Sequence, residues 1–235
     1  MNDPEPVPTG CGPLDELLDG GLDRGTVTQL YGPPAAGKTN VALSAAVETA
    51  SRGGTALYID TEGLSVDRFS QLAEARGDAE AVEALTSRIV VSAAHDFAEQ
   101  REAVQDAADF ADRADLVVVD SITGFYRLER TQEAEGESLR DVARQVTHLL
   151  GLARRHDIAV VVTNQVYTDP DTNQDRPLGG HTLAHWTGVI LRLERFRGGN
   201  RRATLEKHGS EPAGGTATFE ITGTGLTAVE GRGAR

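Results

Sequence analysis

The 235-residue sequence contains one cysteine, Cys11, one tryptophan, Trp186, and only two lysines, Lys38 and Lys207. A single thiol excludes a disulfide framework and a cysteine-based zinc site, and it points to a reducing, cytoplasmic setting. No run approaches the roughly 18 apolar residues of a membrane-spanning helix, so no membrane segment is expected. Residues 1–9 are acidic and proline-rich and lack the basic-then-apolar order of a secretory signal. Aromatic residues make up only 5% of the chain. Basic residues also fall short, 23 against 36 acidic, for a net charge of −13. Such a field repels nucleic acid at low salt and argues against a histone-like or tail-driven DNA binder.

What is abundant is carboxylate. With almost no lysine and few large apolar side chains, this composition resembles that of proteins from a salt-loving cytoplasm. At molar salt the Debye length shrinks to about 3 Å, so surface carboxylates hardly repel one another. A genome rich in G and C also favours arginine over lysine, but it does not account for the acidic excess.

Apolar runs alternate with helix-forming runs along most of the chain. Strands are expected at 26–31, 55–60, 88–92, 115–120 and 158–164, and helices at 40–52, 67–76, 97–113 and 137–156. Gly53 and Gly54 end the first of these helices. The run DLVVVD shows no polar alternation, as expected of a strand buried on both faces. The pattern predicts an α/β fold, a mostly parallel sheet flanked by helices. After Asn164, a polar loop over 167–180 leads to alternating runs at 188–193, 202–206 and 216–221, which read as an antiparallel extension of the same sheet. No repeat or interdomain linker interrupts the pattern. The expected layout is a disordered lead over 1–8, a single core domain over 9–230 and a tail over 231–235.

Gly32, Pro33, Pro34, Ala35, Ala36, Gly37, Lys38 and Thr39 form a complete G-x-x-x-x-G-K-[ST] motif between a strand and a helix. Its glycines let the backbone wrap a phosphate, with successive N–H groups and the helix N-terminus facing the anion. Lys38 is placed to reach the β- and γ-phosphates of ATP, and Thr39 to offer its hydroxyl to Mg²⁺. In a chain that uses arginine almost everywhere, one of the two lysines sits where a planar guanidinium would not fit. Asp120, at the end of an apolar strand, is placed to support Mg²⁺ through water.

Hydrolysis also needs a group that orients or deprotonates water. Glu62, two residues past a strand, is the candidate, with Asp60 as its competitor. Asn164 and Gln165 end the fifth strand; a neutral amide there can report a phosphate to the loop that follows, or simply end the strand. Arg192 to Arg202 is a local basic patch carrying five arginines, either a phosphate-facing surface or a turn between solvated strands. His181 and His185 have the spacing of half a zinc pair, but no third ligand with suitable spacing follows. Cys11 reads as an inert small residue.

Together these motifs resemble the RecA/RadA recombinase core, from Thr9 onward. The lead TGCGPLDELLDGGLDRGTVTQLYGPP is shared with KaiC-type ATPases. YIDTEG resembles the strand that ends in the recombinase catalytic glutamate, which supports Glu62. In SVDRF, Arg68 matches the arginine that lies over the adenine ring. VVVTNQV and PLGGHTLAHW look like the recombinase sensor motif and the close of the second DNA-facing loop, and they favour this family over KaiC.

The sequence departs from full RadA in several ways. The P-loop begins GPPAA, no N-terminal helical DNA-binding domain precedes it, and the lead lacks the Phe-x-x-Ala hook. Both DNA-facing loops, 126–135 and 167–180, are short. Lys207 and His208 correspond only loosely to the region that completes a neighbour's ATP site. A bare, short core of this kind is similar to the accessory paralogues of RadA. The resemblance implies ATP and Mg²⁺ binding, weak or negligible hydrolysis, and DNA binding without strand exchange. It further implies a RadA-type recombinase, and other recombination proteins, as partners in recombination and repair, with Gln165 linking nucleotide state to the loop. The alternatives are a KaiC-like signalling ATPase or autokinase, an active RadA-type core, and an interaction module that binds ATP only as a structural ligand.

Overall fold

The computed structural model describes residues 5–126, 135–169 and 175–229. Four apolar runs become fully buried strands: Val27–Tyr31 (β1), Ala56–Asp60 (β2), Leu116–Asp120 (β4) and Ala159–Asn164 (β5). Ile89–Ala93 (β3) is only half-buried. Val189–Arg195 (β8), Arg201–Lys207 (β9), Thr216–Thr222 (β10) and Gly225–Ala228 (β11) complete a nine-stranded sheet, in the order β11-β10-β9-β8-β1-β5-β4-β2-β3. β8 lies parallel to β1; β9 and β10 run antiparallel, as the alternating runs at 202–206 and 216–221 predict, and β11 pairs antiparallel with β10. A separate two-stranded ribbon pairs Val166–Thr168 (β6) with Asp175–Pro177 (β7) inside the segment expected to be a loop.

Successive strand residues face opposite sides of the sheet, so each side needs its own cover. Helices Gly12–Leu17 (α1), Lys38–Ser51 (α2), Val66–Glu74 (α3) and Ala79–Thr86 (α4) cover one face, where Leu14, Val41, Val47 and Leu72 meet Tyr58, Val118, Val161 and Phe219. Phe97–Asp106 (α5), Glu135–His156 (α6) and Gly180–Trp186 (α7) cover the other, where Phe97, Val104, Val146, Leu149 and Leu183 meet Ile59, Val117, Val119 and Val160. Each fully buried valine or leucine contributes about 1.5–3 kcal/mol relative to exposure.

The helix starts have local causes. The side chains of Ser65, Asp78 and Asp96 each accept from a backbone N–H in the first turn of α3, α4 and α5. α2 ends at Ser51 with Arg52 as its C-cap, followed by Gly53 at φ 88°.

Several boundaries differ from the sequence reading. The helix expected over 97–113 ends at Asp106 and gives way to a 3₁₀ turn over Ala107–Asp109. Asp106, Asp109 and Asp112 punctuate that stretch, and aspartate competes for backbone hydrogen bonds inside helices. α1, α4 and β11 add elements that the pattern of strong apolar runs does not mark. Val7, within the expected lead, exchanges backbone hydrogen bonds of 2.9 and 2.7 Å with Leu22 and is 3% exposed, so the packed core begins before Thr9. The tail over 231–235 and most of the loop over 126–135 lie outside the described residues.

Candidate functional site

β1, β2, β4 and β5 end together, because parallel pairing places Tyr31 opposite Asn164 and Asp60 opposite Asp120. Residues at this carboxyl edge converge although they are distant in sequence. Gly32 leaves β1 so close to β8 that a Cβ there would lie 2.1 Å from the Leu193 carbonyl oxygen. Ala35 and Gly37 follow at φ 61° and 104°, wrapping the chain into the start of α2. The first N–H groups of a helix have no intrahelical partner, so α2 opens with donors directed into the loop's concavity.

A cavity of about 430 Å³ fills that concavity, lined by Gly32, Pro34, Ala35, Gly37, Lys38, Thr39, Asn40, Glu62, Gln165 and Val166. Ala36 is fully buried beneath the loop, and Pro33 lines a neighbouring cavity with Tyr31 and Arg192. The Lys38 ammonium donates to the Gly32 and Pro33 carbonyl oxygens at 2.8 and 3.3 Å. Burial lowers its pKa, while Glu62 and Asp120 act through space in the opposite direction. Its hydrogen-bond partners are neutral carbonyls, and among the described residues no carboxylate forms an ion pair with this cation. That is the electrostatics of an anion site.

Asp120 is 2% exposed and lies below the loop. The Tyr58 hydroxyl donates to its Oδ2 at 2.8 Å, the Thr163 hydroxyl to its Oδ1, and Thr39 also contributes a hydrogen bond. Burial raises its pKa; the three hydroxyls pull it down and the nearby Glu62 pushes it up. A buried carboxylate next to the first threonine of α2 has the chemistry to hold a hydrated divalent cation against that hydroxyl. Among the described residues no cluster of three His, Cys, Asp or Glu offers a protein-only metal site.

The structure separates Glu62 from its competitor. Asp60 accepts from the backbone N–H groups of Glu62, Gly63 and Leu64 at 3.1, 3.0 and 2.5 Å, so its carboxylate is committed to the turn after β2. That turn presents Glu62 to the cavity, where its Oε1 accepts from Gln165 Nε2 at 2.8 Å. Asn164 has a different task. Its Oδ1 accepts from Thr123 at 2.7 Å and its amide donates to the Leu178 carbonyl at 2.8 Å, tying the loop after β4 to the chain after β7.

Arg68 does not line the cavity. It bonds Asn40, which does, at 2.8 Å, and the Thr222 carbonyl at 2.7 Å. The basic patch is less uniform than its sequence: Arg192 lies 3.6 Å from Glu206 and 3.9 Å from Glu194, and Arg202 pairs with Glu194 while stacking on Phe196. Glu206, outside the stretch in sequence, supplies a second negative charge. Lys207 and His208 lie at the far end of β9 from the P-loop; Lys207 caps the Ala184 and Thr187 carbonyls at the end of α7, and His208 faces Asp23. Tyr58, Thr163 and Thr123 escape sequence reasoning, although Thr163 is a polar interruption in the apolar run VVVTN.

Residues 6–229 match the Rad51 family. The chain is 67% identical over 226 residues to the DNA repair and recombination protein RadB of Halobacterium salinarum, covering 95% of both proteins. It is 42% identical to the RadB of Pyrococcus abyssi, covering 94% of this chain and 93% of that one. A crystal structure of the RadB recombinase superposes with a TM-score of 0.82 at 40% identity, covering 95% of this chain and all of the other. The homologue with 67% identity comes from a halophile, in keeping with the acidic composition.

Proposed function

Since the chain belongs to the Rad51 family and groups there with the RadB proteins of DNA repair and recombination, we propose that it is an ATP-binding accessory factor of that process. In this reading it binds DNA and a RadA-type recombinase, hydrolyses ATP weakly, and performs no strand exchange of its own. The observation that carries the proposal is the Glu62–Gln165 contact at the mouth of a cavity that holds a lysine hydrogen-bonded to backbone carbonyls. Gln165 is followed at once by β6, so the group beside the phosphate position and the start of the ribbon are one piece of chain.

Gly32–Thr39 and Lys38 would hold the phosphates, and Thr39 and Asp120 the Mg²⁺, whose part is to neutralise phosphate charge. Arg68, anchored on Asn40, would lie toward the base. Glu62 would position water, with Gln165 sensing the phosphate. Glu62 is exposed to solvent, and a carboxylate that is not sequestered from bulk water supports slow rather than fast hydrolysis.

DNA would meet the ribbon, where Tyr167 is 41% exposed opposite Arg176, and the turn bearing Arg195 and Arg197. β3 is the last strand at one end of the sheet, with Val91 46% exposed, and a partner protein would meet it by strand addition. No described helix is long and apolar enough to cross a membrane, and we place the protein in the cytoplasm with its DNA partner. The test is binding of DNA and of a RadA-type recombinase at molar KCl, with and without ATP and Mg²⁺. Nucleotide-dependent affinity is the expected result; rapid DNA-stimulated ATP turnover would overturn the accessory reading.

A further inference from the structure

Arg201 opens β9 beside the P-loop. A Cβ on Gly37 would lie 3.7 Å from both Cγ and Nε of Arg201, so the arginine stem rests against a residue that lines the cavity. Its Nη1 donates to the Gly199 and Asn200 carbonyls of its own turn. Its Nε is buried and has no hydrogen-bond partner among the described residues. Directly across the β8–β9 ladder stands Arg195. Like charges opposite one another across strands destabilise the pair. Burial, and secondarily Arg195, lower the pKa of Arg201.

The contrast with its neighbours is informative. Arg192 and Arg202 each find a carboxylate, Glu194 or Glu206. In a chain with 36 acidic residues, no carboxylate among the described residues pairs with Arg195 or Arg201. Two cations are left facing each other next to a phosphate-type loop, an arrangement that an anion between them would relieve. We propose that Arg201 is a nucleotide-binding residue that reaches, from the same protomer, the polyphosphate of a nucleoside triphosphate held in the P-loop cavity.

This proposal rests on the nucleotide-binding reading, and one experiment separates the two. A fluorescent ATP analogue with Mg²⁺ is titrated into the full chain at molar KCl, comparing wild type, Arg201→Ala, Arg201→Gln and Lys38→Ala. A charge-assisted contact to phosphate predicts about tenfold weaker binding for both Arg201 variants. The apo melting temperatures of those variants should stay unchanged or rise as the Arg195 repulsion is removed. Wild-type binding with R201Q at wild-type affinity overturns the assignment while leaving the nucleotide reading intact, even if R201A fails to fold. No binding by wild type overturns both.

Discussion

Gln165 donates its side-chain amide to Glu62 across 2.8 Å, although 103 residues separate the two in the chain. One is the carboxylate at the cavity mouth, and the other is the residue from which the β6–β7 ribbon begins. Any group that competes for the amide, a γ-phosphate above all, changes what holds the base of that ribbon. Glu62→Gln should therefore lower residual ATP turnover at least about tenfold while changing ATP affinity less than about threefold. Gln165→Ala should leave nucleotide affinity similarly unchanged and erase the difference in DNA affinity between the ATP-bound and apo protein. A Q165A protein that still tightens on DNA with ATP would place the coupling elsewhere.

Among the described residues Lys38 bonds only the Gly32 and Pro33 carbonyls, so its removal leaves no carboxylate without a paired cation. Lys38→Ala should keep the apo melting temperature within a few degrees of wild type and abolish the stabilisation that ATP and Mg²⁺ confer. A ligand at about 100 times its dissociation constant stabilises by roughly 2.7 kcal/mol. That shift, measured by differential scanning fluorimetry, is expected for wild type and absent from K38A.

Much of this site is legible in the sequence because it is written locally. The P-loop is eight consecutive residues, and Asp120 follows an unbroken apolar run. The parallel sheet follows from the alternation of elements. What sequence does not supply is register. The choice between Asp60 and Glu62 depends on which one the turn's backbone N–H groups consume. The hydroxyls on Asp120 come from Tyr58 and Thr163 on the two strands that flank β4, and nothing local in the sequence pairs them. Within its own stretch the basic patch holds Glu194 alone, because Glu206 reaches Arg192 only through the antiparallel return of β9. α4 is legible in principle, since Asp78 before AEAVEALT is a helix start, but its largely exposed residues carry little apolar periodicity.

Cys11 offers a chemical probe of unfolding. It is fully buried, and burial raises its thiol pKa to about 11, with Asp15 adding to the rise. Because the thiolate is the reactive form, modification by a maleimide or disulfide reagent at mildly alkaline pH should proceed only through opening of the N-terminal segment. The native rate is expected to lie about three orders of magnitude or more below that of the denatured chain. Fast labelling of the native protein would show that residues around α1 open far more readily than the core.

Asp120 sets function against stability. Its carboxyl has a pKa above the ordinary 3.8 because burial outweighs the hydroxyls of Thr163, Tyr58 and Thr39. A carboxyl raised in the folded state favours folding while it is protonated. That advantage is lost as pH climbs from the unfolded value through the raised one, and above both the buried charge costs stability. Asp120→Asn keeps the shape and removes the charge, so the apo variant should melt at a higher temperature than wild type at neutral pH. The gap should close as pH falls toward 3.8. In the same variant Mg²⁺-dependent nucleotide affinity should drop by at least about tenfold, because a neutral amide cannot compensate the cation. Melting curves across the pH range, paired with nucleotide titrations with and without Mg²⁺, measure both halves. A variant less stable than wild type at neutral pH would mean that the charge-accepting hydrogen bonds from Tyr58 and Thr163 outweigh the burial of the carboxylate.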